Sequence, residues 1–365
     1  MKIKDIVKHI EDLAPLHYQE DYDNAGLIVG ALTDETESAL ICLDVTEEVL
    51  DEAIEYGHKL IIAHHPLIFS GLKKINGKNE IERCVINAIR HGIAIYAAHT
   101  NLDAVQGGVN TMICNKLGLQ NQRSLSPAKG HLEKLVTFVP ESSFHKVEAA
   151  LFKAGAGCIG NYDSCAYATK GVGSFRAGKN TNPFVGEKEK LHYEKEIRIE
   201  TVFPKYLQKN IIAALKSVHP YEEVAYDIYE LANTLDTVGI GLVGELPEVE
   251  DEKSFLAKIK TAFNCKIIRH SALLGKPISR VAVCGGAGSF LVEAAKVVEA
   301  DIFITGDIKY HEFFSAEKSI VLADIGHFES EQFTQNIFRE LLIEKIPNFA
   351  VQLTACCTNA VSYFI

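Results

Sequence analysis

The apolar positions near the N-terminus alternate between the spacing of strands and the spacing of helices. The run ALICLDV from Ala39 has the continuous apolar character of a buried strand, and TEEVLDEAIEYG has the 3.6-residue period of an amphipathic helix. Thr46 is placed to cap the start of that helix and Gly57 its end. The strand-like KLIIAHHP follows, so the order strand, helix, strand predicts a parallel sheet in an α/β fold.

A further helix and strand, EIERCVINAIRHG and IAIYAAHT, continue the series, and the pattern returns near the C-terminus. There the order strand, helix, strand, helix, strand is carried by RVAVCGG, SFLVEAAKVVEA, DIFITGD, KYHEFFSAEK and SIVLADIGH. The similarity predicts two related α/β halves, residues 1–127 and 233–365, whose strands end in His and Asp. Because ligands of open α/β sheets collect at the carboxyl ends of strands, a site is expected there.

A different pattern occupies residues 128–232. LVTFVPESSFHKVEAALFKAG and IETVFPKYLQKNIIAALKSVHP each have the order strand, Pro, helix, and further strands are predicted at CAYATKGVGSF and VAYDIY. This order predicts an inserted ferredoxin-like (α+β) domain.

Two segments of the insert have no assigned role. RAGKNTNPFVGEKEK is rich in Gly, Asn and Lys and is predicted to be a mobile loop. HPYEEVAYD, residues 219–227, combines a turn with Tyr and two carboxylates before a strand. It either contributes to a site or interface or is an ordinary exposed turn.

Composition narrows the class of protein. With 365 residues and 47% apolar content, the chain can form two or three cores of ordinary size. The net charge of −11 argues against a broad nucleic-acid surface, although it leaves room for a small basic pocket. Nine scattered cysteines without a C-x-x-C pair indicate reduced thiols, and no apolar run suits a signal peptide or a membrane span. We therefore expect a cytoplasmic protein that binds neither membranes nor nucleic acid.

Histidine and carboxylate side chains cluster at the predicted strand ends. His64 and His65 follow an apolar strand, and Pro66 gives a reason for the strand to end, which would let both imidazoles face one site. Imidazole is a common ligand of Zn, Fe and Mn. The alternative is a pair of surface histidines.

The neighbouring strand and its counterpart in the second half supply further candidates. AHTNLDAV ends in His99 and Asp103, and Asp103 either lies at the site, caps the following helix, or does both. His327 and Glu331 are four residues apart at the start of a helix, so they project from one face. That spacing is common on solvated helices. It supports a site here because the pair follows the strand of the second half that is equivalent to the strand preceding Asp103.

Three imidazoles and two carboxylates suit two divalent ions, Zn, Fe or Mn, that share Glu331 or a hydroxide. The five proposed ligands are His64, His65, Asp103, His327 and Glu331. Such a pair, about 3.5 to 4 Å apart, lowers the pKa of bound water to about 7 and favours hydrolysis at neutral pH.

Further residues lie near the predicted site. Glu331, His99 and His311 are the candidate catalytic residues. Asp307, His99 and His311 could each act as general acid or base, orient the ligands, or serve as a structural hydrogen-bonding group. The glycines of CGGAGSF lack the spacing and the Lys of a P-loop, so a tight turn against the metal site is favoured over a phosphate site.

Six motifs occur together in a family-specific order. They are YDNAGLIVG (22–30), AHHP, AHTNLDAV, HPYEEVAYD, TGDIKYHE and GHFESE. The chain thereby resembles the GTP cyclohydrolase I type 2 homolog family, also called NGG-interacting-factor-three-like, over nearly its whole length. The resemblance implies a two-metal centre formed by the five ligands above, an insert similar to PII and CutA-type regulators, and a toroidal homohexamer whose sites face an internal cavity. It also implies GTP cyclohydrolase activity.

Three functions are compatible with these features. The leading hypothesis is a metal-dependent hydrolase of a nucleotide or another small phosphorylated or cyclic substrate. The second is a non-enzymatic protein that handles metals or senses small molecules, motivated by the insert. The third, a scaffold for other proteins, does not account for five converging ligands.

Overall fold

Strands and helices alternate along the chain as the apolar spacing predicts. The computed structural model describes residues 1–364. Its strands are β1 Gly26–Val29, β2 Ser38–Cys42, β3 Leu60–Ala63, β4 Ala94–Ala97, β5 Gln120–Lys129, β6 Leu132–Pro140, β7 Ala166–Arg176, β8 Leu191–Pro204, β9 Tyr226–Glu230, β10 Thr234–Glu250, β11 Arg269–His270, β12 Ile278–Ala287, β13 Ile302–Gly306, β14 Val321–Asp324 and β15 Ala350–Leu353.

The α-helices lie between these strands. They are α1 Ile3–Leu13, α2 Glu47–Tyr56, α3 Glu80–His91, α4 Thr100–Asp103, α5 Val109–Leu117, α6 Phe144–Lys153, α7 Gln208–Val218, α8 Glu252–Ala262, α9 Val292–Val297, α10 His327–Glu331 and α11 Thr334–Lys345. The predicted caps of α2 are confirmed, because the Thr46 side chain accepts a hydrogen bond from Val49 N and Gly57 is left-handed. None of the helices in residues 1–364 has the length and apolar content to cross a bilayer.

The chain divides into two compact units. One combines Met1–Pro127 with the chain from Asp236 onwards, and the other is Ala128–Leu235.

The first unit contains two sheets, one built around four parallel strands and the other around three. The five-stranded sheet has the order β1-β4-β3-β2-β15, in which β15, β2, β3 and β4 are parallel and β1 is antiparallel. The six-stranded sheet has the order β11-β14-β13-β12-β10-β5, in which β12, β13 and β14 are parallel. The two halves of the sequence exchange edge strands, because β15 joins the first sheet and β5 the second.

Both sheets contribute to one hydrophobic core. Ile41 and Ile62 of the first sheet belong to the same buried cluster as Val281 and Ile302 of the second. The helices α2 and α3 cover the other face of the first sheet, and α9 covers the other face of the second. The carboxyl ends of the parallel strands are therefore held by a single core.

Two helices expected in the C-terminal half differ from the prediction. SFLVEAAKVVEA begins as a 3₁₀ turn, Ser289–Leu291, and only Val292–Val297 is α-helical. KYHEFFSAEK forms a 3₁₀ helix, Tyr310–Ala316, which tightens through bonds such as Glu317 N to Phe314 O at 3.2 Å. The apolar spacing marks the covered face but does not distinguish the two hydrogen-bond patterns over so short a segment.

The second unit has the order β6-α6-β7-β8-α7-β9. Its sheet has the strand order β7-β8-β6-β9, and every adjacent pair is antiparallel. Leu135, Val147, Ile199 and Ile211 form the core between one sheet face and the two helices. Because strand residues alternate between faces, Glu196 and its neighbours at alternate positions lie on the other face.

A buried carboxylate ties the C-terminal segment to α2. Glu52 is 8% exposed and accepts hydrogen bonds from Gln352 Nε2 at 3.1 Å, from Ala355 N at 3.1 Å and from the Thr354 hydroxyl. These bonds fix the direction in which the chain leaves β15.

We expect Glu52→Ala to lower the free energy of unfolding by about 2 kcal/mol or more, because the donors lose their acceptor in a buried place. Chemical denaturation of the full chain measures the change. Glu55→Ala, at an exposed position of the same helix, is the matched control and should stay within about 0.5 kcal/mol of the parent. Equal effects of the two substitutions would contradict this role of Glu52.

Candidate metal centre

The first sheet brings three imidazoles to its carboxyl edge. His64 and His65 follow β3 directly, and His99 follows β4. The chain leaves the strand geometry after Ala63, so the rings of His64 and His65 lie on the same side, with centroids 4.8 Å apart. Asp103 is at the end of the short helix α4 that His99 precedes.

The second sheet brings the remaining groups to its own carboxyl edge. His327 begins α10 just after β14, and Glu331 ends the same helix. Asp307 follows β13 in a left-handed conformation with φ of 56°, which is uncommon for residues other than Gly, Asn and Asp. Its carboxylate is thereby directed at the His327 ring.

Every imidazole of the cluster is fixed through its Nδ1 atom. The pairs are His64 with Ala98 O at 2.9 Å, His65 with Asp44 Oδ1 at 2.6 Å, His99 with Asp23 Oδ1 at 2.7 Å, and His327 with Asp307 Oδ2 at 2.7 Å. The partners are carbonyl or carboxylate oxygens, so each Nδ1–H donates and each Nε2 is left to bind a cation or, when it carries a proton, to donate to another partner. This is the arrangement that orients metal-binding histidines in proteins.

The two oxygens of Glu331 face two different groups of ligands. Oε2 lies 3.0 Å from His65 Nε2 and 3.1 Å from His327 Nε2. Oε1 lies 3.8 Å from His64 Nε2, which is also 3.7 Å from Asp103 Oδ1. In each group the potential ligand atoms lie within 4.8 Å of one another, and the same holds for a third group, His64, His65 and His99. The carboxylate therefore faces two groups of atoms, each of which could hold a cation.

Two of these atoms are buried without a hydrogen-bond partner among the described residues. They are His64 Nε2 and Asp103 Oδ1. Leaving a buried polar atom unsatisfied costs about 1–3 kcal/mol, so such atoms are rare in native proteins. Both are electron-pair donors, and a divalent cation between them would satisfy both. The residues present thus fit a metal ion.

The side chain of Asp103 is not the cap of the helix that follows. The N-cap of α5 is Gly108, and no side chain caps that helix. The backbone carbonyl of Asp103 accepts a hydrogen bond from Asn110 Nδ2 at 2.9 Å, and its carboxylate faces His64.

The glycines at the end of β12 make room for Glu331. A Cβ on Gly286 would lie 2.5 Å from Glu331 Oε1, and its φ of 60° also favours glycine. The N–H groups of Gly285, Gly286 and Gly288 donate to Asn110, Ser330 and Thr305 at 2.9–3.0 Å. The interpretation as a phosphate site is therefore wrong, because these donors are already used. Gly285 and Gly286 lie in the irregular end of β12 rather than in a tight turn, and they contact Glu331.

Burial and mutual hydrogen bonds shift the pKa values of the cluster. Burial lowers the pKa of His65, but the bonds to Asp44 and Glu331 outweigh it and raise this pKa to about 10. The pKa of His327 is raised in the same way: burial lowers it, but its bonds to Glu331 and Asp307 outweigh burial and bring it to about 9. Burial and the nearby Glu331 charge raise the pKa of Asp103 to about 8.

Glu331 is shifted in the opposite direction. Burial alone raises its pKa, yet the hydrogen bonds from His327 and His65 and the nearby His64 imidazole hold it well below its usual value. Glu331 is thus the ionised carboxylate of the pair that it forms with Asp103.

The centre lines a cavity of about 580 Å³. Aromatic side chains of Tyr22, Phe69 and Phe290 form part of the wall, and His99 lies on it with its ring centroid 5.3 Å from those of His64 and His65. The C-terminal residues 358–361 form another part.

His311 is not brought to this cavity. It is exposed on the 3₁₀ helix, its ring packs against Tyr310 and Phe314, and it is absent from the cavity wall. Of the three candidate catalytic residues, the structure brings together Glu331 and His99.

Sequence reasoning missed three residues that orient the cluster. Asp44 holds His65, and Asp23 holds His99. Thr358 donates its hydroxyl proton to Asp44 Oδ2 at 2.7 Å. Asp44 is the second-to-last residue of the strand-like run ALICLDV, and Asp23 lies in the motif YDNAGLIVG, so a signal for both is present in the sequence. No such signal marks Thr358.

We expect Asp44→Ala to weaken metal binding about 10- to 100-fold, because His65 loses the acceptor that fixes its ring. Competition against a chromophoric chelator measures the affinity. Asp51→Ala, on the exposed face of α2, should bind metal as the parent does. An unchanged affinity in Asp44→Ala would show that the ring needs no such support.

Metal binding is also expected to release protons. His65, His327 and Asp103 have pKa values above 7, so they are protonated at pH 7 before a cation binds. Coordination requires their deprotonated forms, so affinity should rise with pH up to about 10. Titration calorimetry in two buffers of different ionisation enthalpy should report about two or more released protons per chain at pH 7. A binding enthalpy that is equal in both buffers would contradict these protonation states.

Comparison with known proteins assigns the family. The family model Duf34/NIF3 (NGG1p interacting factor 3) matches residues 1–361. A Halalkalibacterium halodurans protein named GTP cyclohydrolase 1 type 2 homolog is 39% identical over 92% of this chain and 91% of its own, and a Bacillus subtilis protein of the same name is 38% identical over the same shares. The crystal structure of a Bacillus cereus protein related to NIF3 has a TM-score of 0.86 and 37% identity, covering 100% of this chain and 99% of that one. These matches confirm the resemblance found in the motifs, and the chain belongs to the Duf34/NIF3 family.

Proposed function

We propose that this protein is a hydrolase that uses two divalent ions, Zn, Fe or Mn, and acts on a nucleotide or another small phosphorylated or cyclic substrate. The observation that carries the proposal is the position of Glu331, whose two carboxylate oxygens face two separate groups of ligand atoms.

Five side chains would hold the ions. His65, His327 and Glu331 Oε2 form one group, and His64, Asp103 and Glu331 Oε1 form the other. Bound there, a divalent pair lowers the pKa of a water molecule and polarises the bond under attack. The two carboxylates offset half of the 4+ charge, which leaves the site attractive to an anionic substrate.

His99 is the residue placed to move a proton. Its Nδ1 donates to Asp23, so its Nε2 is left to accept a proton from a nucleophile or to return one to a leaving group. Burial raises the pKa of Asp23, but its bonds with His99 and Thr100 lower it to about 2, so Asp23 stays ionised and holds the ring in this tautomer.

The cavity fits a substrate of nucleotide size. Its volume of about 580 Å³ lies within the range of about 300–1,000 Å³ typical of small-molecule sites. Tyr22, Phe69 and Phe290 offer apolar surface against which a base or another ring could stack. The name of the curated relatives makes hydrolytic opening of the guanine imidazole ring of GTP a specific candidate reaction.

The remaining expectations are part of the same proposal. We propose that the unit 128–235 is a ferredoxin-like, PII- or CutA-like domain, supported by its β-α-β-β-α-β order and antiparallel sheet. Family membership supports a homohexamer with sites that face an internal cavity. The absence of a candidate membrane span among the described helices is compatible with a cytoplasmic location.

A second candidate function is the sensing of a small molecule. It is favoured by a cavity of about 620 Å³ within the unit 128–235, which shares no lining residue with the metal centre. Sensing and hydrolysis are compatible in one protein.

We expect metal-loaded protein to hydrolyse at least one member of a panel of nucleotides and phosphoesters. Glu331→Ala should lose both turnover and metal, because the shared ligand is gone. His99→Ala should lower kcat about 10²- to 10⁴-fold at unchanged metal content, since only proton transfer is affected. His91→Ala, at an exposed position of α3, is the control. If no compound of the panel is hydrolysed, the hydrolase proposal is contradicted and the sensing function is the better account.

A further inference from the structure

A cavity in the unit 128–235 brings together the two segments of the insert that had no role. Its floor is the sheet face opposite the helices, with Phe138 of β6 and Glu196 of β8. Its walls include Phe184 from the loop RAGKNTNPFVGEKEK and Tyr221 from the motif HPYEEVAYD. The volume of about 620 Å³ is that of a small-molecule site.

Hydrogen bonds hold these walls in place. The Glu222 carboxylate accepts from the backbone N–H of Asn182 at 2.9 and 3.1 Å, which fastens the loop to the turn. His219 Nε2 donates to Phe138 O at 3.0 Å, and its Nδ1 accepts from Tyr221 N at 3.1 Å. Burial lowers the pKa of His219, in keeping with this neutral form. The turn is therefore tied to the sheet as well as to the loop.

Aromatic rings surround Tyr221. Phe175 and Phe184 lie with their ring centroids 6.2 and 6.3 Å from that of Tyr221. Together with Phe138 they give the cavity four aromatic side chains. Ring faces attract cations because of their quadrupole, so this lining favours a positively charged group with an apolar body.

A nearly buried carboxylate adds charge to this lining. Glu196 is 8% exposed, and its Oε1 accepts a hydrogen bond from the Tyr221 hydroxyl at 2.7 Å. None of the ion pairs found in residues 1–364 involves Glu196. Gly173 makes room for the carboxylate, because a Cβ there would overlap it. A buried carboxylate with one neutral donor is poorly compensated.

Two of the three basic side chains of the lining form ion pairs with carboxylates outside it. Lys170 pairs with Glu141 at 3.2 Å, and the Nε of Arg198 pairs with Glu200 at 3.0 Å. Arg176 is exposed, while Glu222 and Glu223 add two further acidic groups to the lining. The cavity therefore favours a cation over an anion.

We propose that this cavity binds a small organic cation, an ammonium compound with an apolar substituent, between the aromatic rings and Glu196. This inference names the ligand class of the second candidate function and does not depend on hydrolysis at the metal centre.

Titration calorimetry of the full, metal-loaded chain with benzyltrimethylammonium tests the proposal. Saturable binding is expected, whereas benzyl alcohol and benzoate, which lack the positive charge, should bind at least about tenfold more weakly. Glu196→Gln keeps an acceptor for Tyr221 but removes the charge, so it should weaken cation binding about tenfold. Glu187→Gln, in the same loop but outside the lining, should bind as the parent does.

A second variant blocks the space without changing the charge. A Cβ on Gly171 meets no atom within 4 Å, so Gly171→Leu can be accommodated and should abolish binding by filling the cavity. Metal content should stay at the parental value in all three variants. The proposal is overturned if the parent shows no saturable cation binding, if benzoate binds as tightly, or if both Glu196→Gln and Gly171→Leu bind normally. Hydrolysis measured in the same samples reports separately on the metal centre.

Discussion

The carboxylate of Glu331, with 3% of its side chain exposed, lies within 3.0–3.8 Å of three imidazole nitrogens. An ionised carboxylate in such a place must be matched by positive charge, because burial without compensation is costly. Protons on His65 and His327 meet this need in the metal-free protein, and divalent cations would meet it more fully. The same five side chains therefore form a compact charged cluster, and we propose that they are also the ligand set.

The fold is arranged around this requirement. Two sheets share one core and turn the carboxyl ends of their parallel strands to the same cavity, so neither sheet alone supplies the whole cluster. Gly286, which has no Cβ, leaves space for the Glu331 carboxylate. Asp307 has a left-handed backbone conformation, and its carboxylate is the acceptor for the His327 ring. Local conformational cost of this kind is typical of functional sites. The C-terminal segment adds Thr358, which holds Asp44 and through it the ring of His65.

Much of this arrangement could be predicted from the sequence, because periodicity and strand ends are local signals. The pairs His64–His65 and His327–Glu331 follow apolar strands, and their positions alone indicated a shared edge. The supporting contacts could not be predicted, since they join residues far apart in the chain: Thr358 and Asp44 are separated by 314 positions. The i, i+4 spacing of His327 and Glu331 likewise placed them on one face without indicating that Glu331 would turn its two oxygens to different ligand groups. The exchange of β15 and β5 between sheets also lacked a local signal.

Anomalous diffraction from crystals grown with Mn or Zn tests the central claim most directly. The account predicts two anomalous peaks about 3.5–4 Å apart, one beside His65 and His327 and the other beside His64 and Asp103, with Glu331 between them. A single peak, or peaks that avoid Glu331, would contradict it.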